Sequence, residues 1–362
     1  MPSSVATHPI VFATFTAPSF GSVHSRITNA RGAAKLCHPR RDGPSCTERH
    51  AKDDTLLGKA LDPACYDYAG AALGNNRAGE LWHMFMVYLR RNLAEMVGVS
   101  RSKLSKVLRV KYAKVAEYQT RGVVHFHAVI RLDGPEGPGE HPPIGMDTDT
   151  LQEAITAAAR AARIIIPAAQ SEPQRVLRWG TQLDLRPVAM DAEWTDKKVA
   201  RYIAKYATKG AEAAGTVNRP LHSIAHLQRV RGLSPQGRNM IEACWRLGGL
   251  EELAWLKLRQ WAHMLGYGGH FSTKSRQYST TLSAIRTSRA EYRAREAREA
   301  AGVAQLPDVP QVRVGSWQVA GTGYLTGAEE TWAESIRAQR RHLPIRRPVT
   351  DPDKEEGQPA AS

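Results

Sequence analysis

Val110 to Gly134 reads VKYAKVAEYQTRGVVHFHAVIRLDG, two apolar runs separated by Thr120, Arg121 and Gly122. A three-residue connection ending in glycine is a common β-hairpin turn, so the segment is expected to form two antiparallel strands. Side chains alternate across a strand, which puts His125 and His127 on one face and Phe126 on the other. If Gln119 pairs with Val123, Glu117 lies directly across from His125 and shares its face. A two-residue turn would instead set Glu117 against Phe126. The favoured register therefore brings one carboxylate to two imidazoles, a donor set able to hold a divalent metal. Taken alone, a histidine pair of this spacing is also common in ordinary packing.

Composition narrows the partner. The chain of 362 residues has 42% apolar content, normal for a soluble core, and is long enough for two domains. Its 50 Lys and Arg against 35 Asp and Glu give a net charge of +15, spread through the sequence. Such an excess favours a polyanionic partner, either nucleic acid or an anionic membrane surface. No run approaches the roughly 18 apolar residues of a membrane span, and no basic segment followed by a hydrophobic core opens the chain, so a cytoplasmic location is expected. Four scattered cysteines fit a reducing compartment.

Upstream of the hairpin, Pro9–Thr16 is rich in β-branched and aromatic residues and predicts a first strand after a flexible 1–8. Residues from about 21 to 76 are polar and interrupted by Gly and Pro, and predict an insertion with little regular structure. Cys37, Cys46, His50 and Cys65 fall there. Their spacing matches no compact zinc knuckle, so free thiols in a loop are the expectation over Zn²⁺. From Gly79 to about Val97, Leu81, Met84, Met86, Tyr88, Leu89 and Leu93 recur at helical spacing, predicting a core-facing helix with Arg90 and Arg91 near its solvated side.

Downstream, Asp149 to about Ile164 is Ala-rich and helical in propensity, and Val176–Val188 alternates as a fourth strand. The order strand, helix, strand, strand, helix, strand is that of α+β, ferredoxin-like βαββαβ folds, an antiparallel sheet covered on one face by two helices. A helix is then expected from Thr195 to a glycine cap at Gly210. Val199, Tyr202, Ile203 and Tyr206 share its apolar stripe, and Lys197, Arg201, Lys205 and Lys209 form a ladder on the neighbouring face. The bland alternative is two core tyrosines beside an ordinary solvated face. Residues 236–300 predict a helical basic region: a helix pair over Arg238–Leu265 broken at Gly248 and Gly249, then a hydroxyl-rich stretch with Lys274 and Arg276, then a charged helix bearing Arg286. Such side chains suit phosphate contacts. A short strand and helix are expected within 301–343, and a disordered tail over 344–362.

A metal on a sheet face, tyrosines on a helix and a basic surface together suit phosphodiester cleavage by a tyrosine. At these residues the sequence resembles the HUH endonucleases, specifically the rolling-circle replication initiators of actinobacterial plasmids and integrative elements. FATFTAPSFG (Phe12–Gly21) is similar to their first motif, EYQTRGVVHFHAVIRLDG (Glu117–Gly134) to the metal motif and YIAKYATKG (Tyr202–Gly210) to the nucleophile motif. CYDY at Cys65 and GGHFSTKSRQYSTT at Gly268 extend the resemblance to roughly residues 8–330. It implies Mg²⁺ or Mn²⁺ on His125 and His127 with Glu117 as third ligand, and attack by Tyr206 or Tyr202 on single-stranded or hairpin origin DNA. A 5′-phosphotyrosine and a free 3′-hydroxyl would result, with Lys205 and Lys209 assisting and host helicase and polymerase as partners. The chain departs from the family in starting at the first strand, where members often carry a cysteine-rich segment. A transposase or relaxase of the same chemistry, and a non-catalytic DNA-binding regulator, are the competing readings; a cupin-like metal enzyme would need more strands than the sequence holds.

Overall fold

The computed structural model describes residues 7–170, 172–188, 220–221, 223–229 and 233–275, with isolated positions 287, 290 and 293. The chain divides into two compact units, Met1–Thr281 and Leu282–Ser362. The fold is α+β, built on a five-stranded antiparallel sheet.

Strand β1 (Ile10–Phe15) is followed by helix α1 (Tyr68–Met96), then by β2 (Arg109–Tyr118) and β3 (Val124–Asp133), the expected hairpin. Its turn has the anticipated length: Gln119 N–H donates to Val123 O at 3.0 Å, and Gly122 takes φ +76°, a left-handed conformation that glycine adopts without strain. Helix α2 (Thr148–Ala161), capped by the Asp147 side chain, leads into β4 (Arg163–Ile166), β5 (Arg175–Arg178) and β6 (Leu183–Pro187). A short α3 (Ile224–Arg229), α4 (Pro235–Leu247) and β7 (Ser272–Lys274) complete the described elements. The main sheet runs β6-β1-β3-β2-β7, while β4 and β5 pair separately.

The sheet has two chemically different faces. Val11, Ala13, Phe15, Phe126, Ala128 and Ile130 are buried on the one packed beneath α1 and α2. There Phe15 meets Phe85 and Trp82 at centroid distances of 4.6 and 5.4 Å, and Phe126 meets Trp179 at 5.5 Å. The opposite face carries His125, His127 and Glu117.

Several boundaries differ from expectation. Helix α1 begins at Tyr68, so the insertion ends at 67 rather than near 76. The segment YAGAALGNN looks unhelical because of its glycines and asparagines, yet tertiary contacts make use of both. Gly74 admits the Phe20 ring, to which an added Cβ would stand 3.0 Å away, and Asn75 is buried among backbone partners. The single strand expected over 176–188 is two, β5 and β6, and only the second joins the main sheet. Between them Gly180 N–H bonds to Thr16 O at 2.8 Å, with an added Cβ only 3.0 Å from Ala17 O. Beyond Gly248 and Gly249 the expected second helix is replaced by 3-10 turns, Glu251–Leu256 and Ala262–Met264, ended by left-handed Lys257 and Leu265. The hydroxyl-rich stretch supplies β7, an edge strand paired with β2.

Candidate metal centre and its surroundings

Hairpin pairing places Glu117 opposite His125 and Val115 opposite His127. Glu117 Oε2 lies 3.1 Å from His125 Nε2 and 3.1 Å from His127 Nε2. Each residue directs one donor atom at a common point, with all three donors within 4.8 Å of one another. Glu117 and His127 are buried and His125 is half-buried. Burying a carboxylate against two imidazoles is costly unless charge is compensated, and a cation or bound protons can provide that compensation.

Strand β1 supplies a contact that the sequence pattern did not reveal. Thr14 pairs with His127 across β1 and β3, and Thr14 Oγ1 stands 3.1 Å from His127 Nδ1. Engaging Nδ1 fixes the ring and presents Nε2 to the shared point, as outer partners of metal-bound histidines do. The Phe12 ring stacks on His127 at a centroid distance of 5.7 Å. A hydroxyl on the strand beside a histidine strand is a findable signal only once strand order is known.

The donor set therefore fits a divalent ion: two nitrogens and one oxygen, with positions left for further ligands. Imidazoles suit Mn²⁺ better than Mg²⁺, which prefers oxygen. Farther along the same face Arg131 Nε lies 2.7 Å from Asp133 Oδ1, which also receives His8 Nδ1 at 2.8 Å, a buried ionic cluster beside the start of β1. Lys274, exposed on β7, pairs with Ala113 and so faces the metal side of the sheet.

At the hairpin end a groove of about 730 Å³ is lined by Thr16, Gln119, Thr120, Arg178, Thr181 and Gln182 among others. Gln119 is two residues beyond Glu117 on the same strand face. Arg121, at the turn, is committed to structure: its guanidinium donates to Ala17 O and Pro18 O at 3.0 and 3.1 Å, and burial lowers its pKa.

Of the remaining expected site residues, Tyr202, Tyr206, Lys205, Lys209, Lys197, Arg201, Arg276 and Arg286 lie outside the described residues, as do the helix expected over 195–210 and the elements expected beyond 300. The cysteine group needs correction. Cys37, Cys46 and His50 come together, but Cys65 does not join them. It is exposed in the 3-10 turn that precedes α1, with Sγ donating to Asp62 Oδ2 at 3.1 Å. His24 takes the fourth place.

No helix among the described residues is long and apolar enough to cross a membrane. No solved structure matches the chain. A replication initiator protein of Streptomyces ambofaciens is 48% identical over 337 residues, covering 90% of this chain and 69% of that protein. The family profile described as RepSA, replication initiator protein, pSAM2, matches residues 1–338, and the chain belongs to this family of replication initiators.

Proposed function

We propose that the protein initiates rolling-circle replication by nicking one strand of its origin through a tyrosine, in the manner of an HUH endonuclease. The convergence of Glu117, His125 and His127 on one face of the sheet carries this reading. It is supported by the strand order β6-β1-β3-β2, which is that of a ferredoxin-like βαββαβ fold with β7 added at the edge. Membership in a replication initiator family supplies the biological setting, and the +15 charge the affinity for DNA.

Glu117, His125 and His127 would hold Mg²⁺ or Mn²⁺, which when bound polarises the non-bridging oxygens of the scissile phosphate. Tyr206, or Tyr202 four residues earlier in the sequence, attacks phosphorus through its phenolic oxygen. The bond from phosphorus to the 3′ oxygen breaks, a 5′-phosphotyrosine forms, and the departing oxygen takes a proton to become the 3′-hydroxyl primer. Lys205 and Lys209 favour the phenolate, which is scarce for an ordinary tyrosine of pKa about 10. Two tyrosines four residues apart in the sequence would allow one cleavage at initiation and another at strand transfer. The groove at the hairpin end, lined by Gln119 and Arg178 among others, offers a path for single-stranded DNA. Host helicase and polymerase are the partners this chemistry requires, in the cytoplasm.

Incubation of the full chain with a single-stranded origin oligonucleotide and Mn²⁺, followed by a denaturing gel, tests the proposal. The wild type is expected to give a covalent protein–DNA adduct, reduced in Tyr206→Phe or Tyr202→Phe and absent from the double variant. Absence of adduct from the wild type, with origin binding intact, would leave the non-catalytic DNA-binding reading in its place.

A further inference from the structure

Residues 16–67, between β1 and α1, contain no regular element except isolated bridges and the Pro63–Cys65 turn. None of their larger aliphatic side chains is fully buried: Ile27, Leu36 and Leu56 are 45%, 36% and 42% exposed, and Val23, Leu57 and Leu61 are half-buried. The buried residues in this stretch are Cys37, Cys46, His50, Ala60 and Tyr66. A segment of this size without an apolar core needs another source of order, commonly disulfides or a metal. Here most of what is buried is a set of soft donors.

We propose that His24, Cys37, Cys46 and His50 hold a structural zinc ion. The four donor atoms lie within 4.8 Å of one another. His24 Nδ1 is 3.1 Å from His50 Nε2, and Cys46 Sγ is 3.5 Å from the same nitrogen. A tetrahedral zinc with nitrogen ligands at about 2.0–2.1 Å and sulfur at about 2.3 Å separates two nitrogens by roughly 3.3 Å and nitrogen from sulfur by roughly 3.5 Å. These two spacings are those of a tetrahedral coordination shell. It is reached by pairing His38 with Cys46 through two backbone hydrogen bonds of 2.8 and 2.9 Å, which brings the two cysteines to one end of a small loop.

The surroundings match as well. His50 Nδ1 bonds to Asp54 Oδ2 at 2.7 Å, which turns Nε2 inward, the carboxylate–histidine arrangement of zinc sites. Ser25 N–H donates to Cys37 Sγ at 3.2 Å, the kind of bond that stabilises a thiolate. A Cys37–Cys46 disulfide would leave the convergence of both imidazoles unexplained.

Position gives the site a purpose. Gly58 packs so closely on the β2–β3 turn that an added Cβ would stand 2.7 Å from Thr120 Cβ, and Gly58 N–H bonds to His24 O at 2.8 Å. A zinc-ordered segment braces the turn of the hairpin that carries Glu117 and His125.

Metal analysis of the full chain purified without chelator tests the proposal. One zinc per chain is expected, retained in Cys65→Ser, Cys244→Ser and Glu117→Ala, and lost in Cys37→Ser and Cys46→Ser. Cobalt(II) in its place should show the thiolate-to-metal charge-transfer absorption of a two-sulfur tetrahedral site. Should the cysteine variants be insoluble, a thiol-specific mercurial added to the wild type is expected to release the zinc stoichiometrically. A zinc-free wild type, zinc that survives the loss of both cysteines, zinc lost with Glu117, or a Cys37–Cys46 disulfide in the purified chain would each overturn the assignment. None of these readouts depends on nicking activity.

Discussion

Glu117 stands directly across the hairpin from His125, its Oε2 3.1 Å from His125 Nε2 and equally far from His127 Nε2. One oxygen shared between two imidazoles is a geometry that protonation or a cation can satisfy, and the two make different predictions. If a cation is the resident, Glu117→Ala and His127→Ala should weaken Mn²⁺ binding by at least about 100-fold and abolish adduct formation, with affinity for the uncut origin little changed. Calorimetric Mn²⁺ titration beside a gel-shift assay reads both quantities. Unchanged Mn²⁺ affinity in both variants would remove Glu117 and His127 from the metal site.

Thr14 acts on the same centre at one remove. Thr14→Val keeps the shape and β-propensity of the side chain but deletes the hydroxyl at His127 Nδ1. Metal affinity is expected to fall by about 10-fold, near the lower end for outer partners of ligating histidines. Adduct formation should recover at high Mn²⁺, whereas loss that no Mn²⁺ concentration restores would indicate a role beyond ring orientation.

Asn75 joins three parts of the chain. Its amide nitrogen donates to Gly122 O and Leu265 O at 2.8 and 2.9 Å, and its oxygen accepts from Val124 N–H at 2.8 Å, all within the core. Asn75→Leu strands two carbonyls and one N–H away from water, at a cost of about 3 kcal/mol. Urea unfolding should show a lower midpoint with unchanged slope. A loss below about 1 kcal/mol would mean that water replaces the amide.

Lys114 offers a pH test. It is buried on the helix side of the sheet, with Nζ 3.8 Å from the Phe126 ring centroid, and desolvation pulls its pKa down to about 8. The unfolded lysine keeps an ordinary value near 10.4. Below pH 8 both states are charged, and the folded state bears the desolvation cost. Between about pH 8 and 10.4 the unfolded state binds more protons, so stability rises with pH across that window. Lys114→Met is therefore expected to stabilise the protein by about 1–2 kcal/mol at pH 7, the ring contact offsetting part of the burial cost. The gain should shrink by pH 9.5. A gain that is constant between pH 7 and 9.5 in denaturant unfolding would count against a charged Lys114 at neutral pH.

What could be read from the chain itself was local. The hairpin register follows from turn length and a period of two, so Glu117, His125 and His127 were placed on one face without any tertiary information. From β1 through α2 the order of helices and strands followed from periodicity in the same way, whereas β4 and the division of 176–188 into β5 and β6 did not. Tertiary structure decided whatever depends on partners distant in sequence. Helix α1 extends back to Tyr68 because Asn75, Asn76 and the glycines find backbone and ring partners far away in the chain, which outweighs their weak helical propensity. His24 rather than Cys65 completes the second donor cluster because loop backbone pairing, not spacing along the chain, determines which side chains converge. Thr14 reaches His127 only because β1 lies beside β3. Local periodicity fixes the direction of a side chain, whereas its neighbour across a sheet or loop is selected by the packing of the whole fold.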